Sequence, residues 1–232
     1  MTEVQMSSEM TVKLIRASAS DEMVVQAAKV SVIGENNVDT VPERLINSLM
    51  RNRHGVPFEH TSFTFFVEVP IFVARQWVKH RMSSLNEVSG RYTQLIPKFY
   101  VPEANRPMIN LGTKMDPKMA EASYLQHQTV VNTELEVARV AWRAYESRIK
   151  LGIAEEMARS VLPVSIYTQF YWTLNARSLM NFLERRVEDE NARVISHPQW
   201  EIQMAALQVQ DIFAQEMPIT ANSFLRNQRV AP

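Results

Sequence analysis

Two stretches, "TSFTFFVEV" (61–69) and "SIYTQFYWTLN" (165–175), constrain any fold this chain can adopt. Both are rich in aromatic and β-branched residues, which suit a pleated, half-buried surface, so both predict strands. "MTVKLIRAS" (10–18) predicts a shorter one. Between them the spacing is mostly helical. "EMVVQAAKVSV" (22–32) follows the N-cap pair Ser20-Asp21, and Gly34 with Asn36 and Asn37 predicts its end. "PERLINSLMRNRHG" (42–55) has Pro42 at its first position and Gly55 past its end. "PIFVARQWVKHR" (70–81) is apolar at 71, 73, 74, 77 and 78, the pattern of a helix buried on one face. Further helices are expected from Pro117 to Lys150, ending before Gly152, then over 154–163 and 176–187. A final one is expected over 199–217, while 83–116 and 188–198 read as mostly irregular. Helices outnumber strands without strict alternation, which predicts an α+β fold rather than a doubly wound sheet. No linker divides the chain, so residues 1–232 are expected to form a single domain.

Composition removes several function classes. Apolar residues make up 46% of the 232, enough for a sizeable core. Lys plus Arg and Asp plus Glu stand at 25 each, which argues against a general polyanion binder and against nucleic acid as the partner. An anion site must then be a local cluster. The chain has no cysteine, hence no disulfide, thiolate metal site or cysteine nucleophile. The start "MTEVQMSSEM" lacks a basic region followed by an apolar one. No apolar run approaches the ~20 residues of a membrane helix. A cytoplasmic location is the default expectation.

One such cluster is "RQWVKHRMSSLNEVSGRY" (75–92). It sets Arg75, Lys79, His80, Arg81 and Arg91 beside an apolar run. Cations at a helix C-terminus suit the helix dipole, which is the plain structural reading. The short donors that follow suggest more. Ser83, Ser84, Asn86, Ser89 and the backbone around Gly90, together with arginine, make a cradle for phosphate or pyrophosphate. Glu87 among them is either an acceptor for a ribose hydroxyl or ring N–H, or a salt-bridge partner of Arg81 or Arg91.

Similar groups recur downstream. Arg159 lies on a short helix before Leu162-Pro163. Asn175, Arg177 and Asn181 begin the helix after the second aromatic strand, and Arg185 and Arg186 close it. The spacing of Arg177 and Asn181 puts both on one helix face. His54, His60 and His197 read as structural, since no His-x-x-x-His or Glu-x-x-His pairing predicts a metal site. Neither G-x-G-x-x-G nor G-x-x-x-x-G-K-[ST] occurs.

The segment "KHRMSSLNEVSGRY" resembles the signature of the flavin-dependent thymidylate synthases: a basic-His-Arg triplet, seven residues, then Ser. Here it reads Lys79-His80-Arg81 and Ser89. The blocks "PFEH" (57–60), "PIFVARQW" (70–77), "VLP" (161–163), "NARSLMNF" (175–182) and "QWEIQ" (199–203) follow in the family's order. The resemblance spans about residues 10–226. It implies a homotetramer of α+β subunits, each with a central, mostly antiparallel sheet flanked by long helices. FAD sites are built from more than one chain. It also implies methyl transfer that turns dUMP into dTMP, with methylenetetrahydrofolate as carbon donor and NADPH-reduced FAD as hydride source. The missing cysteine fits, because a flavin then carries the reducing work.

Residue by residue, the resemblance assigns His54, Val56, Lys79, His80, Arg81, Glu87, Asn175, Arg177, Asn181 and His197 to the flavin. Gln76, Lys79, Glu87, Val88, Ser89, Gly90, Arg91 and Arg159 go to the nucleotide. Arg186 is implied as the arginine beside the uracil ring, with Arg185 as its competitor by position. Two departures stand out. Lys79 replaces the usual arginine and loses the planar fork. The segment 187–196 is longer than the family pattern. Both leave open a hydroxymethyl product or action on dCMP. A non-catalytic nucleotide- or RNA-binding protein using the same cradle is the reading from a different class.

Overall fold

The computed structural model describes residues 3–33, 41–114 and 116–232. Strands β1 (Gln5–Ser7) and β2 (Thr11–Ser18) are followed by helices α1 (Asp21–Ile33), α2 (Pro42–Arg51) and α3 (Val56–Glu59). Then come β3 (Ser62–Pro70), α4 (Ile71–Trp77), β4 (Ser84–Glu87), β5 (Lys98–Tyr100), β6 (Ile109–Asn110) and β7 (Met119–Ala120). The long α5 (Tyr124–Lys150), the short α6 (Glu155–Ala158) and a 3-10 turn (Arg159–Val161) lead to β8 (Tyr167–Leu174). Helices α7 (Ala176–Arg186), α8 (Trp200–Glu216) and α9 (Pro218–Arg226) complete the order.

Among the described residues the strands form a four-stranded sheet of order β2-β3-β8-β4, a parallel β1-β5 pair and an antiparallel β6-β7 pair. β3 and β8 are the two aromatic stretches. Thr64 meets Thr173, Phe66 meets Tyr171 and Glu68 meets Gln169. One number rises as the other falls, so the strands run antiparallel, in keeping with the expected α+β class. β3 alternates as a half-buried strand must: Phe63, Phe65 and Val67 are fully buried, while Thr64, Phe66 and Glu68 are partly open.

Several helix boundaries differ from expectation, each for a local reason. α2 stops at Arg51 rather than running on toward Gly55. The Arg53 amide donates to the Met50 carbonyl and the His54 amide to the Leu49 carbonyl, the paired bonds of a Schellman ending. Arg53 itself takes the left-handed position at φ 59°, where glycine was expected. α4 ends at Trp77, so Lys79, His80 and Arg81 lie beyond it rather than forming its last turn. The Pro117–Lys150 helix starts only at Tyr124. Ser123 and Gln126 build a capping box there, and Met119–Ala120 pairs with β6 instead. Its end is as expected, with Gly152 at φ 78°. The irregular stretch 83–116 contains β4, β5 and β6. The expected stop at Gly34, Asn36 and Asn37 lies outside the described residues.

The helix over 199–217 is not the last, because Pro218 opens α9. No residue of its own caps α9. Instead Asp21, at the start of α1, accepts from the Ile219 and Thr220 amides at 2.8 and 2.9 Å and from the Thr220 hydroxyl at 2.6 Å. Asp21 is buried, and α1 is capped separately by Ser20. Asp21→Ala strands those donors and is expected to cost about 1–3 kcal/mol. The urea unfolding midpoint reads this, and Asp21→Asn, which keeps an acceptor, is expected to recover part of the loss.

The chain packs as two compact units. One takes residues up to Met10, Glu68–Trp77 and Glu87–Phe170. Its core is Phe99, Ala138, Trp142, Tyr145, Ala158 and Ile166. Of the 27 residues of α5, only Ala138, Ala141, Trp142 and Tyr145 are buried, and Tyr124, Leu125, Val137 and Val140 remain exposed. The other unit takes Thr11–Val67, Val78–Asn86 and Tyr171–Pro232. Its aromatic centre joins Phe65 to Trp172 and Trp172 to Phe182, with ring centroids 5.6 and 4.9 Å apart.

Candidate functional site

In the first unit, the turn after β4 and the 3-10 turn that carries Arg159 face a common cavity of about 340 Å³. That lies in the usual range for a small-molecule pocket. Glu87, Val88, Ser89, Gly90, Arg91 and Arg159 all line it, although the last lies far from the others in sequence. Ile71, Leu95, Leu162 and Ile166 give it an apolar wall. A Cβ on Gly90 would lie 3.2 Å from Arg159 Cδ and 3.3 Å from Leu95 Cδ1, so a side chain there would press on both.

The charges in the cavity are already aimed. Thr168 donates to Glu87 Oε1 at 2.6 Å, so Glu87 is held by a buried hydroxyl rather than by Arg81 or Arg91. Arg91 Nε instead donates to Glu156 at 2.9 Å, with both side chains about half exposed. That pair is weak in water and easily exchanged for a stronger anion. Sequence reasoning missed Thr168 and Glu156. Thr168 reads as one more strand residue. Glu156 carried a usable signal, since it stands on the same short helical segment as Arg159. Gln76, on α4, is half-buried and does not line the cavity.

The second unit holds the remaining predicted residues in two groups. The first surrounds Arg177. Its Nε donates to the Pro232 carbonyl at 2.7 Å, and Nη1 donates to Glu59. The guanidinium lies close against Gly55, where a Cβ would fall 2.4 Å from Nε and 2.6 Å from Cζ. Gly55 is thus required for close approach, not for ending a helix. It sits between His54 and Val56, both exposed. Asn175 caps α7 by accepting from the Ser178 amide at 2.9 Å, and Asn181 donates to the Arg177 carbonyl at 3.0 Å. The structure therefore gathers His54, Val56, Asn175 and Arg177 at the start of α7, with Asn181 one turn further along it.

The second group lies at the other end of α7. Arg186 Nε donates to His80 Nε2 at 3.0 Å. The His80 ring stands edge-on to Phe182, with centroids 4.9 Å apart. Lys79 and Arg81, its neighbours, are exposed, as is Arg185. Burial, and then the Arg185 charge, lower the pKa of Arg186 from its ordinary value. His197, after the long loop, pairs through Nδ1 with Glu188 at 2.8 Å. Among the described residues no group of three or more His, Asp or Glu side chains is placed to hold a metal ion.

His80 is held to a pKa of about 4, below the ordinary 6.5, chiefly by burial and then by the Arg186 and Arg185 charges. Between those values the unfolded chain binds a proton that the folded protein excludes. The stability contributed by neutral His80 is therefore complete above about 6.5 and lost as the pH falls toward about 4. Urea midpoints of the wild type are expected to decline over that window more steeply than those of His80→Gln. Equal slopes would show that His80 titrates normally.

The chain is similar over nearly its whole length to several known proteins. The family model described as "Thymidylate synthase complementing protein" matches residues 13–219. The flavin-dependent thymidylate synthase of Streptomyces coelicolor is 44% identical, over 99% of this chain and 96% of that protein. The flavin-dependent thymidylate synthase of Thermotoga neapolitana is 41% identical over 93% and 90%. Among solved structures, the UMP/dUMP methylase PolB of Streptomyces cacaoi bound with 5-Br dUMP superposes with a TM-score of 0.94 at 44% identity, covering 99% of this chain and all of that one. The same methylase bound with 5-Br UMP gives 0.94 at 42%.

Proposed function

The chain belongs to the flavin-dependent thymidylate synthases, and from that premise we propose how its residues divide the work. It converts dUMP to dTMP, taking the carbon from methylenetetrahydrofolate and the reducing equivalents from NADPH by way of FAD. With no cysteine in the chain, no thiolate is available to attack the pyrimidine ring. FAD, when bound, supplies hydride chemistry that no side chain provides. The relatives are synthases and methylases, so a methyl product is favoured over the hydroxymethyl and dCMP alternatives.

The donor set suits FAD. Lys79, Arg81 and Arg177 offer positive charge to its phosphates. His54, Asn175, Asn181, His197 and Glu87 offer polar contacts to the rest, and exposed Val56 offers an apolar face. Arg177, held close against Gly55, sets its charge between exposed His54 and Val56. These residues bind and orient, and exclude water where they close over the ring.

The nucleotide role rests on one observation: Glu87, Val88, Ser89, Gly90, Arg91 and Arg159 line a single cavity of suitable size. In this reading Ser89, the Gly90 amide, Arg91 and Arg159 hold the phosphate, with Arg91 giving up Glu156 for it. Glu87, fixed by Thr168, accepts from the sugar or the ring, and Gln76 and Lys79 complete the set. Arg186 meets the pyrimidine ring, where its charge favours ionisation at N3 or steadies negative charge on the ring. We further propose a homotetramer whose sites draw on more than one chain, each chain acting as one catalytic domain in the cytoplasm. The exposed apolar side chains of α5, Leu125, Val137 and Val140, support such association. Among the described residues no helix is long and apolar enough to cross a membrane.

The deciding experiment incubates FAD-loaded protein with dUMP, methylenetetrahydrofolate and NADPH and reads the product by mass. dTMP is expected, and its absence from flavin-loaded protein would overturn the reading. Because the structural relative acts on UMP as well as dUMP, UMP belongs in a parallel tube. Gly90→Val is expected to weaken dUMP binding at least about tenfold by calorimetry, because its methyls crowd Arg159 and Leu95. FAD affinity is expected to stay unchanged.

A further inference from the structure

The hydrogen bond between Arg186 and His80 has a fixed direction. An arginine Nε carries a proton and has no lone pair to offer, so His80 Nε2 is the acceptor. The His80 proton must then reside on Nδ1. This requires a neutral ring, and the depressed pKa of His80 agrees. The ring is held from both ends. Its edge-on contact with Phe182, which itself packs on Trp172, fixes its plane. The Ser83 hydroxyl donates to the His80 carbonyl at 2.9 Å and fixes its backbone. An acceptor on Nε also restricts the guanidinium's rotation about its last bonds.

We infer that His80 is a positioning residue for Arg186, a neutral acceptor that fixes the guanidinium plane offered to the pyrimidine ring. This rests on the assignment of Arg186 given above, and it differs from the direct flavin contact that family resemblance implies for His80. The chemistry is that of a rigid support. The imidazole removes rotational freedom that the arginine would otherwise have to lose on meeting substrate. A displacement of about 1 Å at a reacting group costs on the order of 10²-fold in rate. Loss of the acceptor is therefore expected to lower kcat more than it raises KM.

Two variants separate the roles. His80→Phe keeps an aromatic ring against Phe182 but removes the acceptor. His80→Gln places an amide oxygen near the position of Nε2. His80→Phe is expected to lower kcat about 10- to 100-fold with FAD affinity within about twofold of wild type. His80→Gln is expected to recover at least about tenfold of that loss. In an Arg186→Ala background, His80→Phe is expected to cost nothing more, because the two act as a unit. Additive losses, or a large drop in FAD affinity with kcat intact at saturating flavin, would overturn the inference. Nitrogen NMR of His80 in the unsubstituted protein supplies a test that depends on no variant folding: the Nδ1-protonated tautomer is expected, and the Nε2-protonated one overturns it. A wild type that binds FAD but makes no dTMP defeats the functional reading itself, a result distinct from any of these.

Discussion

Arg186→Ala is expected to lower thymidylate formation about 10²–10³-fold, the usual loss when one preorganised charge-stabilising donor is removed. The reason lies in the location of this arginine. It is half-buried at the end of α7, its Nε is committed to His80, and burial raises the cost of its charge. Such a guanidinium is costly to keep and therefore effective when charge develops beside it. The flavin should remain bound, since Lys79, Arg81 and Arg177 are untouched. The readout is the initial rate of dTMP formation, with the flavin absorbance of the purified variant recorded alongside. Retained turnover would show that the role belongs elsewhere, and Arg185→Ala is the first variant to compare. Arg185 is exposed, so its removal is expected to change the rate far less.

Trp172→Ala is expected to have the largest effect on stability, about 3–5 kcal/mol. Trp172 is fully buried in β8, with Phe65 on one side and Phe182 on the other. Removing the indole leaves a cavity that two stiff rings cannot fill. For a chain of this size the loss corresponds to about 6–20 °C in melting temperature. Calorimetry reads it, and Trp172→Phe should lose markedly less. The change also reaches the site, because Phe182 loses its backing and His80 leans on Phe182. A Trp172→Ala protein that melts within a degree or two of wild type would mean the cluster packs loosely.

Much of this was legible in the sequence because it is local. β3 and β8 declare themselves by aromatic and β-branched runs. The residues from Glu87 to Arg91 are contiguous, so a cradle can be read before any fold is known. Arg159 could be suspected but not joined to them without the turn that carries it. What was not legible depends on tertiary partners. Nothing in Asp21 announces that it caps a helix beginning at Pro218. Gly55 looked like a helix stop and is instead the floor under Arg177. Arg53 took the left-handed turn that a glycine was expected to take. Lys79, His80 and Arg81 looked like the last turn of a helix, yet the helix ends first, and His80 turns to Phe182 and Arg186. For Asp21, Gly55 and His80 a contact between distant residues outweighed local preference, whereas Arg53 is set by the local bonds that end α2.

The bare apolar side chains of α5 carry one more consequence. A single copy leaves Tyr124, Leu125, Val137 and Val140 in contact with water. Val137 and Val140 are already about half covered, so covering the rest of each would return on the order of 1 kcal/mol, and somewhat more for Leu125. If the proposed homotetramer covers them, mass action makes the heat resistance of the protein climb with its concentration, and a melting temperature independent of concentration would count against that assembly.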